Sequence, residues 1–249
     1  MIYICPMENK KPTLFTCLSP ALLHLYDLNN AVVVIIDVFR ATSTIASALY
    51  NGAKEIIPVA EVAEAIQISK EINGIAAGER DGKIAEGLQH GNSPLEYHRE
   101  FIENKTLVLT TTNGTRLLHM AINNNADTII TGSFPNLSAV GDYLLKEKKN
   151  VILGCAGWKD RYNLEDTLFA GAVIHKVKEA FSIHCDSSLT AESMYQQHQH
   201  DLHSFAPNLT HYHRLVDRFG LIEDIRFCFT PDVANVLPLY KEGKLVNGK

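Results

Sequence analysis

Residues able to do chemistry gather where apolar runs of this sequence stop. Asp37 closes the run 31–37, AVVVIID, and is followed by Arg40, Thr42, Ser43 and Thr44. Glu79 closes the run 74–79 and is followed by Arg80 and Asp81, and LVLTTTNGTR (107–116) runs straight from core residues into Thr112, Asn113, Gly114, Thr115 and Arg116. Gly157 and then the acidic pair Glu165 and Asp166 follow a further run, 151–157. A helix opening after Thr112-Asn113-Gly114 presents unpaired N–H groups and a positive dipole end, and Arg116 adds a planar fork. That is an anion site for phosphate or carboxylate; the same residues also make a good helix cap and turn. The GxxxxGK[ST] spacing of a P-loop is absent.

If the strands are neighbours, Arg40 and Arg80 converge with Arg116 on one anionic ligand; singly, each suits a surface ion pair. Asp37 ends a wholly apolar run, so its carboxylate must be paired, used as a cap or bound to metal. Asp37, Glu165 and Asp166 beside a phosphate site suit Mg²⁺, which takes a few carboxylates with water and substrate oxygens. Asp37-Val38-Phe39 lacks the second aspartate of the DxDx[TV] pattern of haloacid dehalogenase phosphatases. His198, His200, His203, His211 and His213 are crowded but their spacing gives no convincing ligand face, and they are expected to be non-catalytic. Trp158 and Tyr162 flank the Gly157 turn and either line a pocket or pack.

The elements that must position these residues alternate. Strands are expected at 31–37, 54–60, 74–79, 106–112, 127–132 and 151–157, the first buried on both faces. Helices are expected at 42–50, 62–72, 93–102 (opened by Ser-Pro), 115–123, 137–146 and 166–181. This order is that of an α/β layered sheet, in which ligands gather at the carboxyl ends of strands. The charge run 146–150 reads as a solvated helix end, and no linker or repeat divides the chain.

With 249 residues the chain holds one sizeable domain or two small ones. Its net charge of −5 argues against a broad nucleic-acid surface, while leaving room for a local positive pocket. No apolar run reaches membrane-spanning length, and MIYICPMENKK is not a secretory signal. The five scattered cysteines, Cys5, Cys17, Cys155, Cys185 and Cys228, contain no CxxC and read as reduced thiols of a cytoplasmic protein.

Seven segments in order, VIIDVFRATSTI, GERDG, GNSP, TTTNGTR, GSFPN, CAGW with LEDTLFAG, and IEDIRFC with VLPLY, resemble the ComB family of Mg²⁺-dependent 2-phosphosulfolactate phosphatases. The resemblance runs over most of the chain; 1–30 and 184–208 match less well, the latter as a divergent insertion. It implies a single domain over 1–249 with a three-layer α/β/α fold and a largely parallel or mixed sheet. The implied reaction is hydrolysis of 2-phosphosulfolactate, or a related phosphorylated 2-hydroxy acid, to sulfolactate and phosphate, as in coenzyme M biosynthesis. The motifs carry over to Asp37, Arg40, Thr42, Glu79, Arg80, Asn92, Ser93, Thr112, Asn113, Gly114, Thr115, Gly157, Glu165 and Asp166. Of these, Asp37, Arg40 and Glu79 are expected to be catalytic, and Asn92 and Ser93 join Arg80 and 112–116 in binding substrate. Mg²⁺ is expected on Asp37, Glu165 and Asp166. The expected partner is a small anionic phosphorylated molecule, with neither nucleic acid nor membrane; self-association is left open. The other reading is a non-catalytic binder of a phosphorylated or sulfonated acid, against which the acids beside the anion site argue, since they repel such a ligand.

Overall fold

The computed structural model describes residues 11–248. Its first half alternates strand and helix: β1 (Leu14–Cys17), β2 (Ala31–Ile36), α1 (Ala41–Tyr50), β3 (Glu55–Pro58), α2 (Val62–Ile72), β4 (Ile75–Arg80), β5 (Lys83–Ile84), α3 (Arg99–Ile102), β6 (Thr106–Thr110) and α4 (Gly114–Asn123). The second half has β7 (Thr128–Gly132), α5 (Leu137–Glu147), β8 (Asn150–Cys155) and α6 (Leu164–Val177). Four helices follow, α7 (Asp186–His198), α8 (Leu202–Phe205), α9 (Thr210–Phe219) and α10 (Ile222–Cys228), and then β9 (Pro238–Lys241) and β10 (Lys244–Asn247). The six expected strands are all present.

The expected helix at 93–102 shrinks to α3. Local side-chain bonds hold the residues before it in turns: Gly91 N–H donates to Glu96, Tyr97 Oη donates to the Gly91 carbonyl, and Leu95 N–H donates to Ser93 Oγ. Such bonds compete with the helical ladder. The helix expected at 166–181 starts earlier, at Leu164, so Glu165 and Asp166 lie inside its first turn.

The fold is α/β with helices on both faces of a ten-stranded mixed, mostly parallel sheet, in the order β1-β8-β2-β7-β9-β10-β3-β6-β4-β5. β2 is buried along its whole length because β8 and β7 flank it in parallel register. Two parallel groups, β1-β8-β2-β7 and β3-β6-β4, are joined by the β9–β10 hairpin, which pairs antiparallel with both. Its turn residues Glu242 and Gly243 both have positive φ, the geometry whose twist matches a tight hairpin.

The sheet curls about this hairpin. One core joins Val33 and Ile35 of β2 to Ile56 of β3, Leu107 and Leu109 of β6 and Leu245 of β10, with Ile45 of α1 and Leu117 of α4 among them. The opposite face of the first group, through Val32, Val34 and Ile36, packs on α5, α6 and the C-terminal helices. The opposite face of the second group packs on α2. Thus α1 and α4 lie between the two groups, and the carboxyl ends of β2, β8, β4 and β6 reach one cleft.

The stretch 184–208 is built into the body. α7 packs so closely on α6 that a Cβ added at Gly171 would come within 2.0 Å of the Ala191 carbonyl oxygen. Cys17, Cys155, Cys185 and Cys228 are free thiols, and Cys5 lies outside the described residues. Among the described residues no helix is long and apolar enough to cross a membrane.

Candidate active site

A cavity of about 360 Å³ opens where these strand ends meet, within the size range of small-molecule sites. Asp37, Phe39 and Arg40 come from the end of β2, Glu79, Asp81 and Gly82 from β4, and Thr112 and Asn113 from β6. Asn92 joins them from the GNSP loop and Trp158 and Lys159 from the turn after β8. The remaining wall is one face of α9: His211, Arg214, Leu215, Arg218 and Phe219.

Asp37 is 8% exposed, and its main chain is tied to Thr42, whose hydroxyl accepts from the Asp37 N–H at 3.1 Å. The Thr42 N–H donates in turn to the Asp37 carbonyl at 3.0 Å. The side chain is left to the cavity, beside the start of α4. Gly114 gives close approach there: a Cβ at that position would lie 3.0 Å from Asp37 Oδ2 and 3.0 Å from Ala41 Cβ. Burial pushes the Asp37 carboxyl up to about 6; the charge of His211 opposes this and those of Glu79 and Glu165 add to it.

The TTTNGTR motif is both cap and site. Thr111 and Thr115 bond each other through side chain and backbone, closing the α4 N-terminus within the core. Thr112 and Asn113 face the cavity, and the Thr112 N–H donates to Glu79 Oε1 at 2.9 Å. Glu79 Oε2 accepts from the Gly82 N–H at 2.9 Å, which fixes the carboxylate on the wall. Arg40 is buried and paired with Asp224, which also accepts from Ser93 Oγ at 2.9 Å. Ser93 is thus linked to Arg40 through Asp224 and does not line the cavity.

Arg80 and Arg116 do not converge with Arg40. Arg80 donates to the carbonyls of Glu79 and Ala60 and to Thr110 Oγ1. Arg116 forms a two-point pair with Asp160 at 2.8 and 3.1 Å. Both line a neighbouring cleft with Thr115, and Thr112 borders the two spaces. Glu165 and Asp166 also stand off the cavity. Asp166 accepts from the Val38 N–H at 2.9 Å and the Gly157 N–H at 3.0 Å, clamping the ends of β2 and β8 together. Burial, then the charges of Glu165 and Asp37, push its pKa well above the usual carboxylate value. Glu165 is fully buried and its Oε1 bonds His211 Nδ1 at 2.7 Å.

The α9 wall does not stand out in the sequence: His211, among the histidines expected to be non-catalytic, lines the cavity and packs edge-on to Phe39. The other four do not line it. Positions 211, 214, 215, 218 and 219 share one helical face, and that spacing was the available signal. Trp158 lines the cavity, whereas Tyr162 does not.

Three of the five described side chains with buried polar atoms lacking a protein partner line this cavity: Asn92 Oδ1, Thr112 Oγ1, and Arg214 Nε and Nη2. Folded proteins rarely leave such groups unmet unless water or a ligand meets them. Among the described residues no three His, Cys, Asp or Glu side chains are grouped to hold a metal ion. Asp37 and Glu79 on the wall do match the mode in which Mg²⁺ takes one or two protein carboxylates together with substrate phosphate and water.

A family model described as 2-phosphosulpholactate phosphatase matches residues 17–243. A protein of Caldanaerobacter subterraneus subsp. tengcongensis, named "Probable 2-phosphosulfolactate phosphatase", is 40% identical over 221 residues, covering 87% of this chain and 90% of its own. One of the same name from Thermotoga petrophila is 41% identical over 215 residues, 86% of this chain and 89% of its own. A third, from Clostridium perfringens, is 34% identical over 224 residues, 88% of this chain and 89% of its own. With its motifs, fold and matched length in agreement, the chain belongs to the 2-phosphosulpholactate phosphatase family.

Proposed function

We propose that the protein is a Mg²⁺-dependent phosphomonoesterase acting in the cytoplasm on 2-phosphosulfolactate or a related phosphorylated 2-hydroxy acid. On the first of these it would carry out a coenzyme M biosynthesis-type step. Beside the family match, one observation carries this reading. The cavity combines an acid titrating near neutrality, Asp37, with a buried arginine, a helix start and unmet polar atoms.

Arg40, Thr112 and Asn113 hold the phosphate oxygens. Asp37, with a pKa of about 6, suits a general base working near neutral pH and takes the proton of an attacking water. The water oxygen bonds to phosphorus as the phosphorus–ester oxygen bond breaks. His211, held through Nδ1 by Glu165, serves as the general acid and gives a proton to the departing alkoxide. Glu79 would hold Mg²⁺, which would offset the phosphoryl charge and leave Asp37 free to take the proton. The fixed donors need not reorganise as charge moves, which is the main source of rate in phosphoryl transfer.

Phosphate release from a panel of phosphorylated 2-hydroxy acids, with Mg²⁺ and with a chelator, tests this reading. It is supported by Mg²⁺-dependent turnover that favours diacid substrates. Binding without any phosphate release would instead make the protein a non-catalytic binder of such acids.

A further inference from the structure

We propose that Arg214 is the specificity-determining residue of the cavity, holding the acid group of the substrate that is not transferred, a carboxylate or sulfonate. This rests on the hydrolytic reading for its substrate class, though not for its geometry.

Three other arginines have their N–H groups met within the fold, and Arg218, which also lines the cavity, is solvent-exposed. Arg40 has Asp224, Arg116 has Asp160, and Arg80 has backbone carbonyls and Thr110. Arg214 is different: its Nε and Nη2 are buried on the cavity wall without a protein partner. An unmet buried donor is costly, so folding alone does not account for this side chain. Burial lowers its guanidinium pKa; the charge of Glu165 opposes this and that of Arg218 adds to it.

Its position is nevertheless fixed. The guanidinium carbon lies 4.0 Å from the centre of the Trp158 ring, and Lys159 Nζ lies 4.6 Å from the same ring. The turn carrying both is closed by reciprocal backbone bonds between Trp158 and Arg161, and it is anchored by the Arg116–Asp160 pair and by Ser19. Stacking orients the planar fork, and a stacked fork suits two-point binding of a carboxylate or sulfonate.

The helix sets the spacing. Arg214 follows His211 by nearly one turn of α9, about 4.5 Å along the axis. In a 2-phosphorylated acid the second acid group lies only a few bonds from the ester oxygen that His211 serves. A ligand reaching from His211 to Arg214 therefore has this size. An uncharged leaving group would leave Arg214 unmet, so the residue discriminates between substrates and does not drive the chemistry.

The test is binding, read by calorimetric titration and by the emission of Trp158, the only tryptophan of the chain. The probes are sulfolactate, which carries both acid groups and no phosphate, and inorganic phosphate. For Arg214→Gln, sulfolactate affinity should fall about ten- to a hundredfold and phosphate affinity should change less than about twofold. Arg214→Lys, which keeps the charge without the fork, should fall between. The melting temperature of Arg214→Gln should fall only slightly, since stacking on Trp158 is lost but no hydrogen-bond partner is. Unchanged sulfolactate affinity in Arg214→Gln, equal loss for both probes, or no sulfolactate binding by the native protein would each overturn the proposal. Arg214-dependent sulfolactate binding without phosphate release from any ester would remove the hydrolytic reading and leave this assignment standing.

Discussion

Asp37 shows at the scale of one residue how a site departs from what stability favours. Its carboxyl titrates near 6, above the value of about 4 for an unfolded aspartate. A raised folded-state pKa stabilises the fold fully below the unfolded pKa, and that contribution is lost as pH rises through the folded one. At neutral pH the charged Asp37 therefore destabilises the fold, beside Glu79 and Glu165. Asp37→Asn should raise stability at pH 7.5 by about 1–3 kcal/mol, or roughly 3–10 °C in Tm, and the gain should shrink toward pH 4. Thermal melts across that range check this, and a loss of stability at neutral pH would contradict it. In the proposed reaction Glu165 orients His211, and Glu165→Gln removes the carboxylate that holds its Nδ1, so kcat should fall about ten- to a hundredfold with little change in KM. Paired kcat and KM measurements separate this from a binding defect.

Elements explain what the sequence disclosed and what it did not. β2, β6 and β8 were legible because uninterrupted apolar runs need cover on both faces, and the acids and hydroxyls at their ends marked the site side. Arg116 is less legible, since an arginine in the first turn of a helix looks the same in sequence whether it meets a ligand or a loop. In the structure it pairs on the surface with Asp160, far along the chain. Exposed pairs are worth about 0–1 kcal/mol, so Arg116→Ala should lower kcat/KM no more than about fivefold, through a looser Trp158 turn. A loss of a hundredfold would place Arg116 in the site after all. α9 was hidden for another reason. The histidines from 198 to 213 read as a crowd with no ligand face, whereas His211, Arg214 and Arg218 line the cavity from one face of α9.

The arrangement of the whole molecule lies furthest from sequence patterns. The β9–β10 hairpin enters the middle of the sheet, and neither its place nor the curl it allows follows from local periodicity. Leu245 of β10 is fully buried in the core shared by both strand groups. Leu245→Ala should cost about 2–5 kcal/mol despite lying near the chain end, which denaturant unfolding would show. The curl matters for function because it brings Asp37, Glu79 and Thr112 from both strand groups to one cavity. The most direct test of that cavity as the place of hydrolysis is the pH dependence of phosphate release from 2-phosphosulfolactate, for the native protein and Asp37→Asn. Native kcat/KM should rise with pH through about 6, and Asp37→Asn should lose about 10²- to 10⁴-fold at its plateau while remaining folded. Near-native turnover by Asp37→Asn, with the same rise near pH 6, would contradict the account.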